Sequence, residues 1–406
     1  MTKKTVNLVM AVANDSGNGY SKTYFQFEND SNSISVTPSL YAPVTTTDSI
    51  PNLDDMDTES YNNMDVIIKS PTLKTTSEYL VGQAAMASGN SLMDYNVEAN
   101  TGKATPDISI IVPLAKIAYA ALNQYIKNTH SIPATINVTL VFYLTCLPIS
   151  EFRNSKKRNF LKKRLCKGKH VVTIKGLDSN VKVNINFSED NTYIYPEGIA
   201  AQIGLIYDPV DSRYYRQGEL YQDAPYEDGK AYHDSGNVLL IDIGDGTTDI
   251  SIMNATRPLK GLGINTSLNQ GVGTAAAMAR DQLAIDYPQL RYTRSVFLEH
   301  AKRQDSEGST LAKKYLEPQL NLLMAAIENE VEKEFRKANN DINTVVVLGG
   351  GVNLLTDNNK KEFQSMLDDL NPFEVHQKVW WITSKYNQML NLDGLRVFLS
   401  RKLNKN

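Results

Sequence analysis

The apolar positions of this chain fall into short runs that stop at glycine and aspartate, and two of these stops resemble each other. Near the N-terminus, Val9-Met10-Ala11-Val12-Ala13-Asn14 leads into Asp15-Ser16-Gly17-Asn18-Gly19, with Lys22 three residues on. Far downstream, Val238-Leu239-Leu240-Ile241 leads into Asp242-Ile243-Gly244-Asp245-Gly246-Thr247-Thr248-Asp249. Each pattern predicts a buried strand running into a tight turn. After the first turn, Thr23-Tyr24-Phe25-Gln26-Phe27 alternates as the returning strand of a hairpin would.

Other segments extend the α/β pattern. Ile111, Leu114, Ile117, Ala118 and Leu122 recur at helical spacing and predict a packed helix over 106–125. Residues 136–144 read as a buried strand ending at Leu147-Pro148. Residues 311–338 predict a long amphipathic helix, which leads through Asn339-Asn340-Asp341 to a strand at 344–348 ending in Gly349-Gly350-Gly351. Residues 31–103 are rich in Ser, Thr, Asn and Asp, with strand-like Val66-Ile67-Ile68, and suggest a small inserted subdomain. Residues 208–237 are polar, tyrosine-rich and broken by Pro209, Pro225 and Gly229, which predicts a long surface loop, with a subunit contact as the alternative. Residues 150–169 carry Lys156, Lys157, Arg158, Lys162, Lys163 and Arg164, a solvated helix face or a patch for polyanions. The basic, amphipathic stretch 395–403 reads as a helix for domain packing, with an interface or membrane segment as the alternative.

Composition narrows the class. At 406 residues, with 41% hydrophobic and 21% charged, the chain has room for two domains with ordinary soluble cores. A net charge of −3 and a pI near 6.0 give no reason to expect direct nucleic-acid binding. The cysteines Cys146 and Cys166 are too few for a disulfide framework and fit a reducing compartment. The apolar run after Met1-Thr2-Lys3-Lys4 is interrupted at Asn7, so no signal peptide or membrane span is expected, and a cytoplasmic location is. The histidines at 130, 170, 233, 300 and 376 have no metal-ligand spacing.

The paired turns carry the candidate chemistry. Glycine lets backbone approach a ligand closely, and amide groups in such turns can cradle phosphate. Aspartates at the strand ends, Asp15 and Asp242, can hold hydrated Mg²⁺, a cation that gives up its waters reluctantly. Two such turns in corresponding places suggest a nucleotide clamped between paired domains. Taken singly, either aspartate could merely cap its turn.

The order of motifs resembles the actin-like ATPases, most closely the ParM/StbA plasmid-segregation branch. Asp15 to Lys22 is similar to the first phosphate loop, Leu144-Thr145-Cys146-Leu147-Pro148-Ile149-Ser150 to the strand ending in Leu-Pro, and Tyr195-Pro196-Glu197-Gly198-Ile199-Ala200-Ala201 to the hinge helix. Asp242 to Thr248 is similar to the second phosphate loop, and Leu348 to Gly351 to the adenosine loop. The stretch 382–391 departs from the branch's Ala-Asn-x-x-Gly pattern.

The resemblance implies an α/β, actin-like fold of the actin/chaperone/sugar-kinase kind, with two domains around a nucleotide cleft and a subdomain on each. Domain I then takes 1–36, 105–207 and 380–406, with subdomain IB at 37–104. A polar tyrosine-rich loop occupies 208–236, and domain II takes 237–379, with subdomain IIB near 275–320. The implied ligand is ATP, or GTP, with Mg²⁺ held through water by Asp15 and Asp242. Phosphate contacts fall to Ser16, Gly17, Asn18, Gly19, Lys22, Gly244, Asp245, Gly246, Thr247 and Thr248. Gly273, Gly349, Gly350, Gly351 and Asn353 would line the nucleoside, and adenine contacts would come from 294–314. Glu197, at a helix start where a carboxylate is favoured, would orient the attacking water, with Asp15 and Asp242 as further catalytic groups. Plainer readings stay open: Lys22 as an exposed strand residue, Glu197 as a helix-terminal charge, Gly273 as structural glycine, and Gly349 to Gly351 as an ordinary turn.

The implied function is a nucleotide-dependent, filament-forming ATPase whose partners are itself and a ParR-like DNA-bound adaptor, without direct nucleic-acid or membrane binding. A small-molecule kinase or a non-polymerising ATPase of the same superfamily is the alternative, although no sugar-recognition segment is evident. The chain's length leaves no room for the peptide-binding domain of a DnaK-type chaperone. No terminal amphipathic anchor of the MreB or FtsA kind is evident.

Overall fold

The computed structural model describes residues 4–44, 60–96, 102–176, 179–222, 224–255, 265–303, 306–370, 377 and 379–404. These divide into two compact units: described residues within Met1–Asn96, Thr101–Glu197 and Leu395–Asn406 form the first, and those within Gly198–Gly394 the second.

The first unit is built on strands β1 (Thr5–Ser16), β2 (Tyr20–Phe27), β3 (Asn32–Pro38), β4 (Leu40–Pro43), β5 (Met64–Lys69), β6 (Ser77–Val81), β7 (Met93–Asp94), β8 (Thr135–Leu147), β9 (Lys169–Ile174), β10 (Val181–Asn186) and β11 (Thr192–Pro196). Among the described residues they form one sheet in the order β3-β2-β1-β8-β10-β9-β5-β6-β4-β7, with β11 beside the end of β8. Strand β1 runs antiparallel to β2 and parallel to β8. Such an interior strand must be apolar on both faces, and Met10 to Asp15 are all buried. Short helices α1 (Gln83–Ala87) and α3 (Ile149–Arg153) accompany the long α2 (Ile108–Thr129) and the basic α4 (Ser155–Leu165).

Helix α2 covers the predicted segment and is apolar nearly all round, as a helix enclosed by its unit must be. Burial of each Ile or Leu along it is worth roughly 1.5–3 kcal/mol. Its one fully buried cation, Lys116, donates from Nζ to the carbonyls of Ser21 at 2.7 Å and Ser35 at 3.1 Å, tying β2 to β3. Burial and the neighbouring Lys22 push its ammonium well below the usual lysine range. On α4, Arg158 and Arg164 turn back to the carbonyls of Phe152 and Thr105, and Lys156 and Lys163 stay on the outer face.

The second unit has strands β12 (Asn237–Ile243), β13 (Thr248–Asn254), β14 (Asn265–Leu268), β15 (Thr344–Leu348) and β16 (Val379–Trp381), in the order β14-β13-β12-β15-β16. Its helices are α5 (Glu197–Ile206, whose first residue belongs to the first unit), α6 (Asp228–His233), α7 (Val272–Asp286), α8 (Arg294–Lys302), α9 (Glu307–Lys337) and α10 (Asp357–Leu370). Helix α9 starts four residues before the expected 311, because the Ser306 hydroxyl caps it by accepting from the Ser309 amide at 3.1 Å. Phe297, Ile327, Phe335 and Phe363 fill the core between these helices and the sheet.

Helix α11 (Leu390–Leu403) carries the chain back to the first unit after Gly394. Inside the second unit the backbones of α5 and α11 touch: a Cβ at Gly204 would overlap the Leu390 carbonyl, and one at Gly394 the Ala200 carbonyl. In the first unit Arg396 lies 4.6 Å over the Tyr24 ring and Phe398 stacks on Tyr195, so this basic, amphipathic segment is a packing helix.

The stretch 208–236 needs a correction. It is irregular over most of its length and keeps Val210, Tyr214 and Tyr226 on the surface, but it is also pinned into the core. Leu220 and Tyr232 are fully buried, Tyr221 stacks on Trp380 at 4.3 Å, and Arg216 pairs with Asp393 at 2.6 Å. Tyrosine suits that role, because its ring buries as a hydrophobe whatever the polarity of its neighbours.

Candidate functional site

The first turn grows from the β1–β2 register, which sets Asp15 directly opposite Lys22. Their side chains meet at 2.6 Å, Nζ to Oδ2, and both are buried. Asn14 braces the strand ends: its Oδ1 accepts from the hydroxyls of Thr23 at 2.7 Å and Ser21 at 3.3 Å, and its Nδ2 donates to Ser16 Oγ at 2.7 Å. Gly17 has no room for a side chain, since a Cβ would come within 2.7 Å of the Tyr20 carbonyl oxygen. Ser39 holds the far side of the turn, donating its hydroxyl to Gly17 O at 2.6 Å and its amide to Gly19 O at 2.9 Å. A trans peptide points its N–H opposite to its C=O, so these bonds aim the Asn18 amide away from Ser39.

Glu197 reaches the same corner through β11. That strand pairs Pro196 with Leu147 of β8, which puts the first residue of α5 just beyond the end of β8. The N-terminal end of a helix favours a carboxylate there. Lys103 Nζ meets Glu197 Oε1 at 2.7 Å, each side chain 8% exposed. Burial alone would lower the Lys103 ammonium, but the Glu197 and Asp15 carboxylates outweigh it and hold that group raised, hence charged. The Cys146 thiol donates to Asp15 Oδ1 at 3.4 Å. Burial first, then the Asp15 and Glu197 charges, push it well above the thiol range, so it stays protonated.

Asp15, Cys146 and Glu197 bring their ligand atoms within 4.8 Å of one another. The two carboxylates suit a hard, hydrated divalent cation; a protonated thiol does not. Mg²⁺ held through water by Asp15 would suit this donor set, and Cys146 would not be one of its ligands.

The second turn repeats the first within the other unit. β12 and β13 set Asp242 opposite Asp249, at the same seven-residue separation as Asp15 and Lys22. Gly244 is again crowded, since a Cβ would stand 2.9 Å from the Thr247 carbonyl oxygen that already accepts the Gly244 amide. Gly246 completes the bend between the strands. This turn is seated on the start of α7: the amides of Val272 and Gly273 donate to the carbonyls of Gly244 at 3.1 Å and Asp245 at 2.6 Å. Asp245 also takes Arg294 Nη1 at 2.7 Å, and Thr248 donates its hydroxyl to Gln270 O at 2.9 Å. Gly273 packs against Asp245, where a Cβ would come within 2.5 Å of Oδ1.

Behind Asp242 lies the glycine run. Gly349 has φ +97°, and a Cβ there would overlap Asp242 Oδ1. Gly351 would set one 2.8 Å from Val272 Cγ1, whereas Gly350 faces only Gln388, at 3.5 Å. Asn391 Nδ2 donates to Asp242 Oδ2 at 3.2 Å, and Asn387 Nδ2 to Asn353 Oδ1 at 2.8 Å. Of the residues expected from sequence, Asp15 to Gly19, Lys22 and Glu197 gather in the first unit. Asp242 to Thr248, Gly273, Gly349 to Gly351 and Asn353 gather in the second. Lys103, Cys146, Arg294, Asn387 and Asn391 join them unforeseen. The only sequence signals were the bracketed segment 294–314, the strand end at 144–150 and the stretch 382–391. Of the histidines, His170 is held in the core by Ser70 and the Leu165 carbonyl, and His376 lies outside the described residues.

Residues 13–199 match the family model of the N-terminal domain of actin-like proteins. No curated protein gives a significant match. The fold is similar to the crystal structure of actin-like protein Alp7A, with a TM-score of 0.62 and 15% identity over 98% of this chain and 99% of that one. It is similar to a 15-stranded ParM filament from Clostridium botulinum, with a TM-score of 0.60 and 18% identity over 97% and 99% of the two chains. Bacillus thuringiensis ParM with ATP matches with a TM-score of 0.56 and 15% identity over 98% and 100%. The chain therefore has the actin-like fold, and its residues 13–199 match the N-terminal domain of actin-like proteins.

Proposed function

We propose that this protein is a nucleotide-dependent, filament-forming ATPase that segregates plasmid DNA through a DNA-bound adaptor. The observation that carries the reading is the pair of Asp-x-Gly-x-Gly hairpins with matching register, the first joined by Lys22 and Glu197. Solved relatives of the fold include a ParM filament and a ParM with ATP, which supports assembly and ATP as the working hypotheses. The two turns would bind phosphates through backbone amides. Lys22 would leave Asp15 to meet them as a point charge. Mg²⁺, held through its waters by Asp15 and Asp242, would neutralise phosphate charge. Glu197 would orient a water for attack on the γ-phosphate, since phosphoryl transfer asks a protein mainly for positioning and charge stabilisation. Nucleotide state would then set filament lifetime, because only a difference in contacts between the ATP and ADP forms can shift assembly.

Light scattering after addition of Mg²⁺ and ATP (or GTP), with electron micrographs and phosphate release from the same sample, tests this. Filaments that grow and then decay as phosphate appears are the expected result. Hydrolysis without filaments across protein and salt concentration would favour a non-polymerising ATPase. Turnover that requires a sugar acceptor would favour a kinase.

A further inference from the structure

We propose that Lys103 is a positioning residue for Glu197, holding its carboxylate aimed for water activation, an inference that rests on the ATPase reading above. The ion pair itself is buried, with 2.7 Å between Nζ and Oε1. Such pairs recover little stability after desolvation, so a pair at this position calls for a reason other than stability.

The loop that carries Lys103 is built to present it. The Glu151 carboxylate accepts the Lys103 amide at 2.7 Å on Oε1 and the Ala104 amide at 3.0 Å on Oε2. Gly102, at φ +67°, lets the chain pass over that carboxylate, where a Cβ would come within 2.5 Å of Glu151 Oε2. The Ser109 hydroxyl donates to the Lys103 carbonyl and is itself hydrogen-bonded to Tyr95 OH at 2.9 Å. The backbone of Lys103 is therefore fastened at both its N–H and its C=O, and the side chain has one ion-pair destination among the described residues.

Charge balance supplies the reason. Asp15 from β1, Cys146 from β8 and Glu197 from α5 bring their ligand atoms within 4.8 Å of one another, with Lys22 paired to Asp15 and Glu151 holding the Lys103 backbone. A nucleotide triphosphate would add more negative charge. In the structure Lys22 pairs with Asp15 and Lys103 with Glu197; if Lys22 turns to the phosphates, Lys103 still holds Glu197. Without Lys103 the acid is no longer held in one geometry, and loss of alignment lowers the rate of the chemical step more than it weakens binding.

The test compares Lys103→Met, Lys103→Arg and Glu151→Gln in the full chain by steady-state hydrolysis and by equilibrium binding of a fluorescent ATP analogue. Lys103→Met should lower kcat at least about ten-fold with binding changed less than about three-fold, the signature of an interaction that matters in the transition state. Lys103→Arg should recover much of the lost kcat, and Glu151→Gln should fall between. Wild-type kcat in Lys103→Met, or kcat and binding falling together with no recovery by arginine, overturns the inference alone. Absence of any nucleotide hydrolysis by the wild-type chain overturns the ATPase reading and this inference with it.

Discussion

Lys22 and Asp15 face each other across the first hairpin and close a buried ion pair, Nζ to Oδ2 at 2.6 Å, with the residue that would leave to meet a phosphate already held in place. Removing the cation strands a buried carboxylate, so Lys22→Met should destabilise the chain by about 3–5 kcal/mol. The double variant Lys22→Met/Asp15→Asn should regain most of that stability yet still bind ATP at least about ten-fold more weakly than wild type. Urea unfolding and a binding titration on the three proteins measure both, and a double variant with wild-type affinity would remove Lys22 from the phosphate site.

Glu197 should matter to hydrolysis and not to assembly. Glu197→Ala is expected to keep ATP binding and polymerisation, lower phosphate release by on the order of 10²-fold, and lengthen filament lifetime accordingly. Normal phosphate release in that variant would sink the assignment.

The glycine run separates fold from ligand. Gly349→Ala places a side chain at φ +97° against Asp242 and should cost on the order of 1–3 kcal/mol or more. Gly350 meets only Gln388 at 3.5 Å, so Gly350→Ala should change stability by less than about 1 kcal/mol. If nucleotide approaches this backbone, Gly350→Ala weakens its binding all the same. Unchanged affinity would place the ligand elsewhere.

Asp65, on β5, predicts a pH dependence apart from the turns. It is 1% exposed, and neither carboxylate oxygen has a hydrogen-bond partner among the described residues. Burial, then Glu78, push its carboxyl up to about 6. The folded chain thus keeps a proton that the unfolded chain gives up near pH 4, so this contribution falls as pH rises from about 4 to about 6 and is constant above. Asp65→Asn should therefore gain on the order of 2–3 kcal/mol over wild type above pH 6 and little at pH 4. Denaturant unfolding at pH 4, 5, 6 and 7.5 checks this; a difference independent of pH would assign the effect to packing alone.

Much of the fold was legible along the chain. The β1–β2 and β12–β13 hairpins, α2, β8, α9 and the glycine stop after β15 follow from apolar period and from glycine or aspartate at the breaks. Those signals are local, and the structure fills them locally: the β1–β2 hairpin fixes its own register, which sets Asp15 opposite Lys22.

The charge environment of the site was not readable in the same way. Lys103 meets Glu197 across 94 positions, Arg294 meets Asp245 across 49, and Asn391 meets Asp242 across 149. Lys116 and Asp65 look like surface residues by type, yet both are buried. The tyrosines of 208–236 looked like loop residues, and two of them, Tyr221 and Tyr232, are core. The sequence determined where strands turn and where backbone can come close to a ligand, since those depend on a few adjacent residues. Only the tertiary structure decided which charges are buried and which cation answers which carboxylate. Burial and pairing depend on what the rest of the chain brings alongside, and neither leaves a periodic trace in the residues themselves.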